Sequence, residues 1–420
     1  MKSSNAINIL PLTVLFLSIS RGLIALLMGG MSTQLLYYGV TAFGITVSLL
    51  GITRKKAQIL GGKKLYHLLA INVLVYVYWI AADLLLGGGT DAVVYFLQMA
   101  LIPFVIYMFL NVNEKVLVKL LFVVSMIITL SCVLDFILLN TNIIPHGRDW
   151  YSWYASMIRQ GNMPFLTHVA YVYRATGITG SMHDSGNLMA ILVVFWFGMI
   201  MTRRGLRYAF ISMPVFVAGL LMTFSVSNIV AASAGVVGIT SYQLRHSTRR
   251  TIAVIMGVVV IGGAMCLLAE YFLDFDLSLI TTWALKLRSA GELKAMTTTG
   301  ASDLGTDVFM LLAGHNVAVR ISDVSFITEF AVLQMVYGSG LLVLIISLSL
   351  MLYPVYCFFK ASRLARKMML PAVAAVGVGV LSLWHYGSVI RSTNIFLFYA
   401  MFAIAIQNRA RSQLSSRQNS

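Results

Sequence analysis

The sequence is poor in charge. Asp, Glu, Lys and Arg make up 10% of its 420 residues, whereas a soluble domain needs roughly 25% to solvate its surface. Most of the folded surface must therefore face something other than water, and a lipid bilayer fits. Cysteine is scarce as well. Cys132, Cys266 and Cys357 lie far apart, each inside an apolar stretch. No Cys-x-x-Cys occurs, which leaves a zinc site and a redox dithiol without support and reads the three thiols as small hydrophobic groups. Acidic residues are the rarer charge, 14 against 30 basic ones. A net charge of +16 would suit a nucleic-acid partner only if the basic groups shared one reading surface. Their distribution rules that out, as the order of spans makes plain.

What is abundant is apolar: 59% hydrophobic residues and a mean hydropathy of +0.87. Segments of about 20 mostly apolar residues span a bilayer as helices. Twelve are read here: Ile7–Gly29, Thr33–Thr53, Leu65–Leu86, Ala92–Leu110, Val116–Leu139, Gly186–Met201, Tyr208–Thr223, Val226–Tyr242, Ile252–Tyr271, Phe326–Tyr353, Met369–Trp384 and Thr393–Ile406. The first is too long for a signal-peptide core and lacks a small-residue cleavage site, so it is expected to stay as a span. Polar breaks (Ser225, Ser227 and Asn228; then Gly387 to Ser392) split the two longest apolar stretches.

The basic residues alternate with this map. One side collects Lys2; Arg54, Lys55, Lys56, Lys63 and Lys64; Lys115 and Lys119; Arg203, Arg204 and Arg207; Arg245, Arg249 and Arg250; Lys360, Arg363, Arg366 and Lys367; and Arg409, Arg411 and Arg417, which is 21 of the 30. The other side holds Arg148, Arg159, Arg174, Lys286, Arg288, Lys294, Arg320 and Arg391. Arg21 falls within the first span. The positive-inside rule makes the first side cytoplasmic, with both termini there and a basic tail over 408–420. Acidic residues show the opposite bias, only Glu114 lying in a cytoplasmic connection. The expectation is one all-α transmembrane domain over 1–420, a polytopic bundle of about twelve helices. Its chemistry belongs on the outer face, and nucleic acid is not a partner.

Two connections are long, 140–185 and 272–325. Long loops in compact proteins carry function or are disordered. Asp149-Trp150-Tyr151-Ser152-Trp153-Tyr154 in the first and Leu277 to Lys294 in the second read as interfacial amphipathic segments, which would cap the outer mouth of the bundle. Polar residues gather in the second half of each loop. The first has Tyr171, Arg174, Thr176, Thr179, Ser181, His183, Asp184, Ser185 and Asn187; the second has Asp303, Asp307, His315, Asn316, Arg320, Ser322, Asp323 and Glu329. His385, Tyr386 and Arg391 form a third, smaller cluster. Ionisable groups at membrane depth are costly and default to a functional role; the competing reading is contact with lipid headgroups. Asp274-Phe275-Asp276 resembles a metal-binding pair but sits at a span end, where solvated carboxylates are ordinary, and no metal site is expected.

Tyr173-Arg174-Ala175-Thr176-Gly177-Ile178-Thr179-Gly180-Ser181, followed by His183-Asp184-Ser185-Gly186-Asn187 and a span, resembles the Arg–Gly–acceptor region of bacterial O-antigen and exopolysaccharide repeat-unit polymerases (Wzy-type). Leu221 to Asn228 is similar to that family's Ser-rich break. Leu311 to Asn316, then Ser322-Asp323-Val324-Ser325-Phe326 and Tyr337-Gly338-Ser339-Gly340, resemble its second motif. The related O-antigen ligases usually place a His where Asp323 stands here; the nearest His is His315. This departure favours polymerase over ligase.

The resemblance implies a GT-C-like fold and substrates built from oligosaccharide on undecaprenyl diphosphate, with a chain-length regulator and a flippase as partners and no cofactor. Such chemistry needs cations for a diphosphate leaving group, and the planar fork of Arg suits them. It also needs a base or orienter for the acceptor hydroxyl. Arg174 and Arg320 are the leading cations and Asp323 the leading carboxylate, although Asp323 equally suits the N-cap of a following helix. Arg288, Arg391, His183, His315 and Glu329 are candidate substrate contacts. A transporter or flippase is the reading from another class; it would place charges at the midplane of repeated halves, and no internal repeat is found.

Overall fold

The computed structural model describes residues 62–85, 102–140, 146, 168–169, 172–179, 182–204, 206–244, 331–383 and 394–418. The expected spans Ile7–Gly29, Thr33–Thr53 and Ile252–Tyr271 lie outside them, as does the second long loop. The described chain is dominated by helix: α1 (Gly62–Leu85), α2 (Glu114–Asn140), α3 (Met182–Met201), α4 (Leu206–Met222), α5 (Val226–Leu244), α6 (Ala331–Met351), α7 (Tyr353–Phe359), α8 (Arg363–Ser382) and α9 (Asn394–Gln418), with further helix over 102–110. Two-residue strands β1 (His168–Val169) and β2 (Val172–Tyr173) pair antiparallel, His168 opposite Tyr173.

Among the described residues, four helices are long and apolar enough to cross a membrane: Gly62–Ala81, Glu114–Asn140, His183–Met201 and Arg363–Ser382. The bent pair Gly340–Met351 and Tyr353–Phe359 makes five if it forms one span. Several of these helices leave large apolar side chains uncovered, such as Leu74 and Tyr78 on α1 and Val123, Leu130 and Leu134 on α2. Apolar surface of this extent marks contact with lipid or protein, and the chain is compatible with a multi-pass membrane protein.

Local sequence explains where these helices start and stop. The Asn113 side chain accepts the Lys115 N–H at 3.0 Å and caps α2, with Glu114 set against the positive end of the helix dipole. Ser362 caps α8 by accepting the Ala365 N–H. α3 ends on Arg203 in the left-handed region (φ 57°), where Arg204 N–H bonds Met199 O and Arg203 N–H bonds Ile200 O. That pair of bonds is a Schellman close, and its basic residues sit at the negative end of the dipole.

Two boundaries differ from the sequence reading. Phe326–Tyr353 is expected as one span, but Gly340 sits at φ 83°, ψ 164° inside α6, a conformation open in practice to glycine. The chain then bends by 50° at Leu352. Pro354, second residue of α7, has no N–H to continue the helix and its ring clashes with the carbonyl four residues back. Residues 408–418, expected as a basic tail, continue α9, and Asn408 and Ser412 are buried.

Packing groups the chain into two compact units. One holds, among the described residues, α1, the helix over 102–110, α2 up to Val123, and α6 to α9; the other holds α2 from Val124, the hairpin, α3, α4 and α5. Each has a central helix with a long stretch buried on all sides, the mark of an element enclosed by others. In the first it is α9, whose residues Ile395 to Ile406 are all buried. Gln407 extends it by donating from Nε2 to the carbonyls of Phe109, Leu110 and Val112 at 3.2, 2.9 and 2.7 Å. In the second it is α3, buried from Ser185 to Trp196. Trp196 donates to Ser125 Oγ on α2 at 3.1 Å and packs on Phe216 of α4.

Candidate functional site

The polar segment from Tyr173 to Thr179 lies across helix ends of the second unit and is tied to each in turn. Asn140, the last residue of α2, acts like a short strand edge. Its Nδ2 donates to Tyr173 O at 2.9 Å and its Oδ1 accepts the Tyr173 N–H at 2.6 Å. The next two residues meet the C-terminal end of α4, where backbone carbonyls lack helical partners. Ala175 N–H donates to Met222 O at 3.0 Å, and Arg174 Nε donates to Thr223 O at 2.9 Å. The Phe224 that follows adopts φ 46° and stacks on Phe136 of α2 at 6.3 Å between ring centroids.

Beyond Arg174 the segment folds onto Asp135. The Asp135 carboxylate accepts the Gly177 N–H at 2.7 Å and the Thr176 hydroxyl at 3.1 Å. One turn earlier on α2, Ser131 Oγ accepts the Ile178 N–H at 3.1 Å. The chain turns through a 3-10 helix, Gly177–Thr179, and the hydroxyls of Thr179 and Ser185 bond each other at 2.8 Å over the Thr176 carbonyl, to which both relate. Gly177 is needed here on two counts. Its φ is +59°, and a Cβ would stand 2.8 Å from Ser131 Oγ and 2.9 Å from Cys132 Sγ.

The opening turn of α3 meets the break between α4 and α5. Asn228 donates to Ser225 Oγ at 2.8 Å and to the His183 carbonyl at 3.4 Å. Gly186 allows this approach, since a Cβ there would be 2.8 Å from both Asn228 Nδ2 and Ser225 Cβ. Ser185, Asn187, Thr223, Ser225 and Asn228 are all buried, and Arg174 is only 8% exposed. The result is a shielded, hydrogen-bonded polar end on an otherwise apolar bundle. A buried guanidinium whose Nε is fixed to a backbone carbonyl has a set plane, and a set plane is what bidentate recognition of a phosphate oxygen pair requires.

Of the residues expected to form the site, Arg174 and His183 are among those described. Both lie at this polar end, Arg174 in the segment and His183 in the first turn of α3. Asp323, Arg320, Arg288, Arg391, His315 and Glu329 lie outside the described residues. Sequence reasoning missed the supporting roles of Ser131, Asp135 and Asn140 on α2, and gave Thr223 no role beyond its place in the Leu221–Asn228 break. A signal was present. Asp135 is a carboxylate inside a 27-residue apolar helix, and Ser131 precedes it by four, which puts both on one face. Its partners belong to a loop some 40 residues away, which spacing cannot reveal. No protein-family model matches this sequence, and no curated protein matches it.

Proposed function

We propose that this protein is a membrane glycosyltransferase joining undecaprenyl-diphosphate-linked oligosaccharide repeat units into a surface polysaccharide. In this reading it is a twelve-span, GT-C-like protein of the bacterial cytoplasmic membrane, with both termini inside and the polar end outside. The observation that carries it is the fixed Arg174. It follows the hairpin directly, is buried, and is tied through Nε to Thr223 O at the α4–α5 break. Those are two of the segments whose order resembles the repeat-unit polymerases. An Arg held this way would neutralise the charge that develops on a departing lipid diphosphate. Arg320, Arg288 and Arg391 would add to it. Asp323 would orient or deprotonate the acceptor hydroxyl, with His183, His315 and Glu329 against the sugars. The chemistry asks for no metal or cofactor.

The direct test is the surface polysaccharide of a strain lacking the protein. Loss of the length ladder with single repeat units still on the core supports a polymerase; absence of repeat units from the core points to a ligase or flippase instead. In liposomes supplied with lipid-linked repeat units, Asp323→Asn separates two roles. As a base, Asp323 lost to Asn lowers the rate by about 10²-fold at unchanged protein abundance; as a helix cap, Asn serves nearly as well and the rate holds.

A further inference from the structure

Away from that polar end, the first unit brings two lysines onto one tyrosine. Lys64, in the first turn of α1, donates from Nζ to the Tyr356 hydroxyl at 3.4 Å and stands 5.8 Å from its ring centroid. Lys360, just past α7, places its Nζ 5.9 Å from the same ring. Both lysines are exposed. Two like charges drawn to one ring repel each other, and cation–π attraction at exposed sites is weak. Among the described residues no carboxylate offsets them: Glu114 is bonded to Arg411, and neither lysine has an acidic partner. Exposed Lys63 and Arg363 lie beside them in sequence and add to the positive potential. Within the described residues the cluster therefore carries unbalanced positive charge.

The surroundings specify what kind. α7 is set off from α6 by the 50° bend and has two unlike sides. Tyr353, Pro354, Cys357 and Phe358 are buried, whereas Tyr356 is 43% and Phe359 70% exposed. Leu364, at the start of α8, is exposed as well. An aromatic carrying a hydroxyl, flanked by lysines and followed by bare apolar side chains, is the composition of a membrane–water boundary. A free phosphate ion would leave the exposed faces of Phe359 and Leu364 uncovered. We propose that Lys64, Lys360 and Tyr356 form a headgroup site for one anionic phospholipid, the phosphodiester lying between the two ammonium groups and its acyl chains along Phe359 and Leu364. The proposal rests on α1, α6 and α7 as membrane helices and is independent of the glycosyltransferase reading.

The test is retention of phospholipid by the full-length protein in detergent, read by native mass spectrometry with phosphatidylglycerol and phosphatidylcholine in equal amounts. Wild type is expected to retain one phosphatidylglycerol in preference to phosphatidylcholine. The double variant Lys64→Gln/Lys360→Gln should lose that preference by about tenfold, as surface lysines each contribute several-fold to anionic-lipid binding. Lys115→Gln/Lys119→Gln removes the same charge from exposed positions on α2 and should leave it intact. Equal loss in both double variants would mean diffuse attraction and overturn the site, as would an unchanged preference in Lys64→Gln/Lys360→Gln. Displacement of the lipid by millimolar inorganic phosphate would overturn the assignment to a lipid. Should the double variant fail to fold, Phe359→Ser in its place is expected to weaken retention of phosphatidylglycerol with every charge kept, and unchanged retention would reject the acyl contact.

Discussion

At Arg174, charge and shape can be separated. Lysine preserves the charge but has neither an Nε to reach Thr223 O nor a planar fork. Arg174→Lys is therefore expected to lower polymer formation in liposomes by about 10²-fold, the usual cost of losing an oriented transition-state donor. Normal polymer from a normally inserted Lys variant would leave lipid-headgroup contact as the better account of Arg174. Asp135 invites a different comparison. It accepts from Gly177 N–H and the Thr176 hydroxyl, so it needs acceptor oxygens more than charge. Asp135→Asn can keep both bonds and should cost under about 1 kcal/mol, while Asp135→Ala leaves a buried N–H unanswered and should cost about 2–3 kcal/mol. Thermal unfolding of the purified protein in detergent measures both. If Asn proves as damaging as Ala, the carboxylate charge has a role the hydrogen bonds do not express.

Helix ends, more than helix bodies, distinguish this chain. The α2 and α4 termini are closed by a loop 33 to 49 residues away in sequence, through Asn140–Tyr173 and Thr223–Arg174. The helix over 102–110 is closed by Gln407, which answers three carbonyls at once. Gln407→Leu keeps the volume and removes the donor. It is expected to lower stability by about 1–3 kcal/mol, the cost of buried unanswered carbonyls, seen as an earlier unfolding midpoint. Gly340 closes nothing but permits a break: at φ 83° any side chain is strained. The length of apolar runs located the described helices well because it reports burial in lipid and core alike. The break at Gly340 was beyond it, since Tyr337 to Leu342 contains glycines that a membrane helix also tolerates.

For the whole molecule, the distribution of Lys and Arg makes the strongest statement. In a chain with Cys132, Cys266 and Cys357 replaced by Ala, single cysteines at Gly147 and Gly300 are expected to react with an impermeant thiol reagent from outside. Cysteines at Gly62 and Ser247 should react only after the membrane is opened. The reverse pattern would invert the topology and remove the outer-face site with it. If the topology is as expected, the same asymmetry would put Lys64 and Lys360 on the cytoplasmic side, and the proposed ligand of that cluster would then be an inner-leaflet anionic lipid.

Composition and pattern alone determined that this chain is helical, how far its apolar stretches run, and that polar residues collect before particular spans. These follow from local solvation, and a stretch of sequence carries its own solvation cost wherever it ends up. Tertiary structure decided what local cost cannot: that Asp135 serves the loop carrying Arg174, that α9 and α3 are the enclosed helices of two separate units, and that Lys64 and Lys360 meet over one ring. Each depends on residues distant in the chain becoming neighbours. A bilayer rewards any apolar face equally and so does not choose among them; the choice is made by close packing and by the few hydrogen bonds that only one arrangement satisfies.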